Sequence, residues 1–431
     1  MKRFIRTFLF LGLVLGLSQC NDSDDLYSGK DFQRKDIELT RGEAEIACNQ
    51  YGFSVDLLKS AYGISKDGNV LLSPLSLSMI LGQMTAAIDE ADRDELYEAL
   101  NIASGRLDDY HEYSGKLISE LPGMDTHSVL KIDNGFWLKD DGVLAPEYES
   151  ILKEKYQSSV ERFTTFDSFV IGGINSWINE RTSGLIPNLL TPEDIILALD
   201  YVWTNTLYFK GAWRQKFDKS ETSARPFYVS YPDQTNVMEV QMMEGSSFRY
   251  SHTHYASNVS GEDYKDAIQT AILPYGNESF LFTAVLPSIN NPDIASTLET
   301  LTPEYWQNID RIVSIPKSSG DILVRMPKMH IESRNELIHV LKNMGVEKIF
   351  EKMSVKENLG FDDDQSIRLL RQNLVFDQDE EGAVIVVASS GGGGYFTDNI
   401  KPMIIFDRPF IYFIRERSTG AVLLAGVYSH P

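Results

Sequence analysis

The sequence predicts an α+β fold built as one large domain, and three observations lead to this class. Helical patterns fill residues 43–120, whereas strand patterns dominate from about residue 198 to the C terminus. Such segregation of helices from strands is typical of α+β proteins with mainly antiparallel sheets. No Pro- or Ser-rich linker and no internal repeat divides the 431 residues, and 42% of them are hydrophobic, enough for a large core. We therefore expect one domain over residues 42–431.

The N terminus reads as a targeting segment rather than as part of this domain. Basic residues precede a short apolar run at positions 8–17, and Cys20 follows it. This pattern is that of a secretory signal, and the run is too short to span a bilayer. The segment "LGLSQC" resembles a bacterial lipoprotein box, in which the cysteine carries the lipid, although Gln19 departs from the small residue usual there. The alternative is an ordinary cleaved signal with a chance cysteine.

The next residues, 21–41, are polar and predict a flexible tether between residues 1–20 and the domain. The tether begins with the acidic "NDSDD", which resembles the surface-export tag of some Gram-negative lipoproteins. We therefore expect an outer-membrane or cell-surface lipoprotein, or a secreted protein.

The charge balance and the cysteines exclude several other classes. The chain carries 40 basic and 62 acidic residues, a formal net charge of −22, which argues against nucleic acid and anionic membrane surfaces as partners. Any membrane contact would then be made through lipid on Cys20. Cys48 would be left alone, so no disulfide framework is expected, and we predict that it is a small buried hydrophobic residue.

The elements follow in order along the chain. Ser73 and Pro74 predict a helix that begins with an N-cap and a proline in its first turn. The segment from residue 198 to 213, rich in β-branched and aromatic residues, predicts a strand buried on both faces. We also predict helices over 147–156, 168–182 and 336–344, the last as the one helix among the later strands, and strands over 128–138, 270–275, 280–287, 321–331, 367–376, 404–416 and 421–429.

No motif in the sequence nominates an enzyme. The chain lacks Gly-x-Ser-x-Gly, His-Glu-x-x-His, Cys-x-x-Cys and a phosphate-binding glycine motif with its lysine. His252 and His254 share one face of a possible strand without a third ligand nearby, and "FDDDQS" has Ile367 where a calcium loop needs glycine. We predict neither catalysis nor a metal or other cofactor.

Six segments in order resemble the signatures of the serpins, serine protease inhibitors that work by conformational change. The match runs from about residue 43 to the C terminus. The segments are "NVLLSPLSLSMILGQMTAA" (69–87), "INSWINERTSGLIPNLL" (174–190), "TNTLYFKGAWRQKF" (204–217), "LPYGNESFLFTAVLP" (273–287), "MPKMHIESRNELIHVLKNMGVEKIF" (326–350) and "FDRPFIYFIRERSTGAVLLAGV" (406–427).

The resemblance implies a fold and a mode of action. The fold would have about eight or nine helices around three mainly antiparallel sheets, with an exposed reactive-centre loop. A protease would cleave that loop as a substrate, and the loop would insert into the central sheet while the acyl-enzyme is still intact. The protease would then be trapped in a metastable, single-use inhibitor that carries out no catalysis of its own.

The resemblance also assigns a hinge to the segment after the strand "IRLLRQNLVFDQ". Inhibitory relatives usually carry small residues here, whereas positions 384–387 of this chain are bulky and β-branched. Bulk could slow insertion, yet burying each such side chain would favour it by roughly 1.5–3 kcal/mol. The hinge residues are Glu380, Glu381, Gly382, Ala383, Val384, Ile385, Val386, Val387 and Ala388.

Two further groups are implied at the central sheet. The shutter, where the sheet opens, would comprise Ser73, Pro74, Ser76, Asn205 and Gln372. Gln372 stands where the family has a histidine, and we expect it to bridge Ser73 and Asn205 by hydrogen bonds. Trp213 matches the tryptophan of the breach, where the loop would first enter.

Two ways of counting along the family pattern place the bond that a protease would attack, and they differ by about two residues. Counting forward from the hinge gives Phe396–Thr397, and counting back from the C-terminal motif lands near Asp398, with Tyr395 as a further candidate. Aromatic residues favour a chymotrypsin- or elastase-like protease, from a host or from neighbouring microbes. We expect a monomer. The alternative reading is a non-inhibitory serpin that acts as a surface binding or scaffold protein, or a protein that is only a protease substrate.

Overall fold

The computed structural model describes residues 33–65, 68–103, 105–246, 267–314, 323–362, 364–383 and 403–431. The elements below belong to one unit, Arg34–Pro431. Ile37, ahead of the first helix, is buried, and its N–H donates to Ser418 Oγ at 2.9 Å. The packed body therefore starts before residue 42, the boundary that the sequence predicts. The signal region and residues 21–32 of the predicted tether lie outside the described residues.

Side-chain caps mark the starts of several helices, among them those that follow Ser73, Asp167 and Asp293. The long helix α1 spans Arg41–Ser65, and α2 spans Pro74–Ala87. Ser73 caps α2 by accepting a hydrogen bond from the N–H of Ser76, as the Ser-Pro pattern predicts. The remaining helices in the described ranges are α3 Asp94–Ala99, α4 Leu107–Glu120, α5 Pro146–Ser150 with a π-helical continuation Ile151–Lys155, α6 Ser168–Arg181, α7 Ile294–Glu299, α8 Pro303–Ser314, α9 Ile338–Asn343, α10 Lys348–Glu351 and α11 Lys356–Leu359.

A five-stranded antiparallel sheet forms the most deeply buried part of the molecule. Its order is β1-β15-β14-β8-β7, and every residue of β8, β14 and β15 is buried. Continuous apolar sequence, without alternation, is what a sheet covered on both faces requires. Its strands are β1 Val70–Leu72, β7 Gln269–Pro274, β8 Phe280–Leu286, β14 Phe410–Glu416 and β15 Val422–Tyr428.

The central sheet has six strands in the order β10-β11-β12-β4-β2-β3. All neighbours are antiparallel except β2 and β3. One strand, β12, has two residues within the described range, which ends at Ala383, and it lies between two much longer neighbours. The strands are β2 Ser128–Lys139, β3 Ser159–Phe163, β4 Tyr201–Ala212, β10 Met329–Glu336, β11 Arg371–Asp379 and β12 Gly382–Ala383.

A smaller sheet of four strands has the order β13-β9-β6-β5. The pair β13–β9 is parallel and the other pairs are antiparallel. Its strands are β5 Ser223–Tyr228, β6 Val237–Ser246, β9 Leu323–Pro327 and β13 Met403–Ile405.

The predicted class is confirmed: the fold is α+β, with three mainly antiparallel sheets. Several details differ from the sequence predictions. The described residues contain eleven α-helical segments rather than eight or nine, because several of them are single turns. Four helices, α7, α8, α10 and α11, interrupt the strand-rich half in addition to α9. The strand expected over 367–376 begins at Arg371, and β10 extends to Glu336, so α9 starts at Ile338.

Cys48 corrects a second expectation, because it is exposed rather than buried. It lies on α1, whose core-facing residues include Ile46, Ala47 and Tyr51. Position 48 therefore falls on the solvent face of a helix that is only partly buried, which the small apolar character of cysteine does not reveal.

Candidate functional site

The candidate site is the space between β4 and β11, which we call the central gap. At its upper end, Gly382 and Ala383 pair with both strands, to Asp379 and Gln378 on β11 and to Ala212 and Gly211 on β4. Below this point the described residues show no backbone pairing between β4 and β11. Two strands whose inner edges pair with no other described residue offer a template for a further strand.

A cavity of about 140 Å³ lies in the central gap. Its walls come from β4 and β11, with α2 below and the chain that follows α6 on the other side. The sequence predicts β4 as a strand buried on both faces, and that holds for Tyr201 to Thr204, but positions 207–210 are only half-buried. The half-burial of both gap-lining strands follows from the cavity between them.

Trp213 lies at the upper end of the central gap. Its ring is 2% exposed and stacks on Tyr275, with centroids 4.4 Å apart and planes 8° from parallel. Its indole N–H donates to the carbonyl of Asp379 at 2.8 Å, and its backbone N–H donates to the carbonyl of Glu381 at 2.9 Å. The side chain predicted for the breach therefore contacts the turn that carries the hinge.

Two carboxylates fix that turn to the body. Glu380 is buried and contacts Lys328 Nζ at 2.8 Å and the hydroxyl of Thr222 at 2.7 Å. Burial alone would raise the pKa of Glu380, but these two partners outweigh it and hold the pKa below its ordinary value. Glu381 is more exposed, and the ammonium groups of Lys216 and Lys219, at 2.5 and 3.2 Å, lower its pKa.

Gly382 adopts a backbone conformation that requires glycine. Its φ is +144°, and a Cβ built there would collide with the carbonyl oxygen of Gly211 on β4. Ala383, the next residue, is 5% exposed and packs in the main core. A glycine and then a small residue therefore let the chain turn from β11 into the central gap at close backbone distance.

The predicted shutter residues meet at the N terminus of α2. Ser73 is the N-cap, Pro74 is the first helical residue, and Ser76 donates its N–H to Ser73 Oγ at 3.3 Å. Gln372 accepts from the N–H of Ser73 at 2.8 Å and donates to its carbonyl at 3.0 Å. One amide side chain thus satisfies both backbone groups of the capping residue and joins α2 to β11.

Asn205 lies across the central gap from Gln372, but the predicted hydrogen-bond bridge between them is absent from the described structure. Its Nδ2 donates instead to Asn134 Oδ1 at 2.8 Å, on the neighbouring strand β2. Asn205 Oδ1 is buried without a hydrogen-bond partner in the described structure. The Gln372 amide is already used by Ser73, which explains why the bridge does not form.

The rest of the predicted site lies outside the described residues. This applies to the hinge positions Val384, Ile385, Val386, Val387 and Ala388, to the candidate cleavage residues Tyr395, Phe396, Thr397 and Asp398, to the lipidation residue Cys20, and to His252 and His254. Among the residues that are described, no cluster of histidine, cysteine, aspartate and glutamate could hold a metal ion. No described helix combines the length and the apolarity needed to cross a bilayer.

Sequence reasoning missed several residues that contact the site. Lys328, Thr222, Lys216 and Lys219 hold the hinge carboxylates, yet each is distant from them in sequence and carries no local signal. Asp194, which contacts Arg371 of β11, was also missed. Its turn could have been predicted, because Thr191 and Asp194 in the segment "TPED" have the three-residue spacing of a capping box.

Comparisons with known proteins agree on one family. The model of the family described as "Serpin (serine protease inhibitor)" matches residues 49–431. Among curated relatives, human neuroserpin is 25% identical over 383 residues, covering 88% of this chain and 90% of neuroserpin. Iripin-3 of Ixodes ricinus is 27% identical over 398 residues, covering 89% of this chain and 94% of Iripin-3.

Solved structures show the same fold. Native tengpin, a thermophilic serpin, superposes with a TM-score of 0.75 at 21% identity, covering 92% of this chain and 96% of tengpin. Thyroxine-binding globulin in complex with thyroxine superposes with a TM-score of 0.73 at 20% identity, covering 90% of this chain and 99% of that protein. With its three sheets, its helices and this match over most of its length, the chain belongs to the serpin family.

Proposed function

We propose that this serpin is a suicide-substrate inhibitor of serine proteases, and that the central gap receives its own cleaved loop. Serpins act as suicide substrates rather than as enzymes, although one structural relative, thyroxine-binding globulin, is known in complex with the small ligand thyroxine. One observation carries the proposal: Gly382 and Ala383 already form the first rung of a strand between β4 and β11. Further chain entering in the same register would extend that rung downward.

The chemistry of the central gap suits the residues that would follow. In an extended ladder each step along the loop is one step back along β11 and β4, and side chains alternate between faces. Ile385 would then lie opposite Phe376 and Phe209, and Val387 opposite Leu374 and Leu207. These four partners are apolar and pack on the main core. The bulky side chains of Ile385 and Val387 would therefore meet apolar side chains on the face of the sheet that is directed to the core.

The next inward position of the same ladder is polar on both sides. Ser389 would lie opposite Gln372 and Asn205. A hydroxyl there could donate to Asn205 Oδ1, the buried acceptor that has no partner in the described structure. A buried polar atom without a hydrogen bond costs about 1–3 kcal/mol, so its pairing would favour insertion.

The proposed cycle begins as ordinary proteolysis. The protease serine attacks the carbonyl carbon of the bond near Phe396, the amine of the following residue leaves with a proton, and an ester joins the two proteins. Insertion of the freed segment then competes with hydrolysis of the ester. An aromatic residue at this place favours a chymotrypsin- or elastase-like protease. No metal or other cofactor takes part.

The test is a mixture of the purified protein with chymotrypsin or neutrophil elastase, followed by denaturing electrophoresis. A covalent band at the summed mass of the two proteins is the expected result. Cleaved protein beside fully active protease would contradict inhibition and favour the alternative, a substrate or a non-inhibitory binding protein. The bulk of Val384, Ile385, Val386 and Val387 is what keeps that alternative open.

A matched pair of variants tests the register itself. Val387→Arg would place a charge against Leu374 and Leu207, whereas Val386→Arg would place the same charge on the opposite face of the inserted strand. Val387→Arg should abolish the covalent band and leave cleavage intact, and Val386→Arg should retain most of the band. Equal loss in both variants would overturn the proposed alternation.

We further propose that Cys20 carries lipid and places the protein at the outer membrane or cell surface, as a monomer. The signal-like N terminus, the cysteine that follows it and the acidic composition support this placement. Cys20→Ala should move the protein from the membrane fraction to the soluble fraction. An unchanged distribution would contradict the anchor and leave the inhibitory function untouched.

A further inference from the structure

The chain between α6 and β4, residues 182–200, is fixed to α6 by the side chain of Asn175, among other contacts. We call this segment the linker. Asn175 of α6 accepts from the N–H groups of Leu189 and Leu190 at 3.0 and 2.9 Å, and it donates to the carbonyl of Leu190 at 2.8 Å. One asparagine therefore satisfies three backbone groups of the linker and connects this part of it to α6.

The same linker is fixed to β11 by a second contact, which the sequence does not predict. Arg371, the first residue of β11, contacts both carboxylate oxygens of Asp194, at 2.8 and 3.2 Å, and donates to the carbonyl of Leu189 at 3.0 Å. Only 9% of either side chain in the pair is exposed. A bidentate pair shielded from water is a strong contact with a fixed geometry.

Asp194 is itself held in place by its own turn. Its carboxylate accepts from the N–H of Thr191 at 2.7 Å and completes a capping box with that residue. Burial would raise the pKa of Asp194, but Arg371 and Thr191 together lower it, so the group is ionised at neutral pH. The linker therefore presents a preorganised carboxylate to β11.

Arg371 has a second carboxylate partner on its other side. Glu336 Oε1 contacts Arg371 Nε at 2.5 Å, and the two residues are register partners on β10 and β11. This second pair stays within two neighbouring strands and does not reach the linker. Arg371 thus takes part in two ion pairs, one with Glu336 inside the central sheet and one with Asp194 of the linker.

The linker also covers the lower part of the central gap. Leu185, Ile186 and Leu189 line the same cavity as β4 and β11. Two further side chains donate hydrogen bonds to the linker. Arg368 donates to the carbonyl of Ala198 at 3.3 Å, and Asn373 of β11 donates to the carbonyl of Asn188 at 3.3 Å. A strand that continued β12 in register would pass Asn373 and then reach Arg371.

We propose that the Arg371–Asp194 pair is a latch that holds the linker against β11 and limits how far and how fast a strand can enter the central gap. The proposal rests on the proposed function, since it concerns the same insertion. The upper rungs can form with the latch closed, because they lie above the linker contacts. Entry of the lower rungs requires β11 and the linker to separate, and the latch resists that step.

The test compares Asp194→Asn with Glu336→Gln in the full-length protein. Each variant removes one carboxylate partner of Arg371 and leaves the other, so the two are matched in charge. Asparagine can still accept from Thr191, which preserves the turn. The probe is a synthetic peptide with the sequence of residues 383–394, and its incorporation is followed by native electrophoresis. Hydrogen exchange at residues 188–198 reports the linker directly.

Asp194→Asn should take up the peptide about tenfold faster than the unmodified protein, the change that follows from lowering a barrier by about 1.4 kcal/mol. Glu336→Gln should stay within about twofold. Faster exchange at residues 188–198 is expected in Asp194→Asn alone. A purely structural role would change the unfolding temperature of both variants and leave their uptake rates equal, and that result would overturn the latch.

The outcomes also separate the latch from the proposed function. If the unmodified protein fails to trap proteases but Asp194→Asn takes up the peptide faster, the inhibitory function fails and the latch stands. If trapping succeeds and both variants take up the peptide at equal rates, the function stands and the latch fails. Absence of uptake in all three proteins would also contradict the latch, since removing it should have permitted entry.

Discussion

The five-stranded sheet and the six-stranded sheet differ in how completely they are filled. Every residue of β8, β14 and β15 is buried, whereas most residues of β11 and the second half of β4 are half-buried around a cavity. The first sheet is packed on both faces and has nothing to gain from further chain. The second has two strands that could pair with a third. The contrast supports the proposal that the central sheet, and not the five-stranded sheet, takes up further chain.

The largest expected effect comes from truncating matched residues in the two sheets. Phe413 of β14 is fully buried and packs edge-to-face on Trp306, with centroids 4.9 Å apart. Phe413→Ala should lower the free energy of unfolding by about 3–5 kcal/mol. Leu374→Ala, on the wall of the cavity, should cost only about 1–2 kcal/mol because its side chain already lacks neighbours on one side. Denaturant unfolding measures both, and equal losses would remove the contrast.

A smaller effect is expected from the two carboxylates at the upper end of the central gap. Glu380→Gln removes a buried charge that pairs with Lys328 and should cost about 1–3 kcal/mol. Glu381→Gln removes a more exposed pair and should cost less than about 1 kcal/mol. Thermal unfolding ranks the variants. A larger loss in Glu381→Gln would show that the exposed lysines, and not the buried contact, hold the hinge.

The smallest effect concerns pH and the outer face of the central sheet. His330 of β10 hydrogen-bonds to Asp377 of β11, which raises the pKa of the imidazole above its ordinary value of 6.5. The protonated pair therefore adds stability below about pH 6.5, and that stability is lost as the pH rises through the raised pKa. Because the pair is largely exposed, the gain should be under about 1 kcal/mol. His330→Gln should flatten the pH dependence of the unfolding temperature in this range, and an unchanged slope would assign it to another group.

Local patterns predicted the parts of the molecule that depend on nearby residues. The cap of α2 follows from Ser73 and Pro74, and the fold class follows from the segregation of helices and strands. Long-range contacts could not be predicted from the sequence. Arg371 and Asp194 are 177 residues apart, and neither carries a signal that names the other as its partner. The expected bridge from Gln372 to Asn205 was wrong for the same reason, because the competing acceptor and donor belong to the backbone of Ser73.

The indole of Trp213 gives the upper end of the central gap an optical reporter. Its N–H is bonded to the carbonyl of Asp379, and its ring lies flat on a tyrosine, so its emission depends on whether the neighbouring turn keeps its place. Tryptophan fluorescence can therefore follow this turn in real time without any attached dye. With the other four tryptophans replaced by phenylalanine, a change in the wavelength or intensity of the emission would be attributable to Trp213 alone.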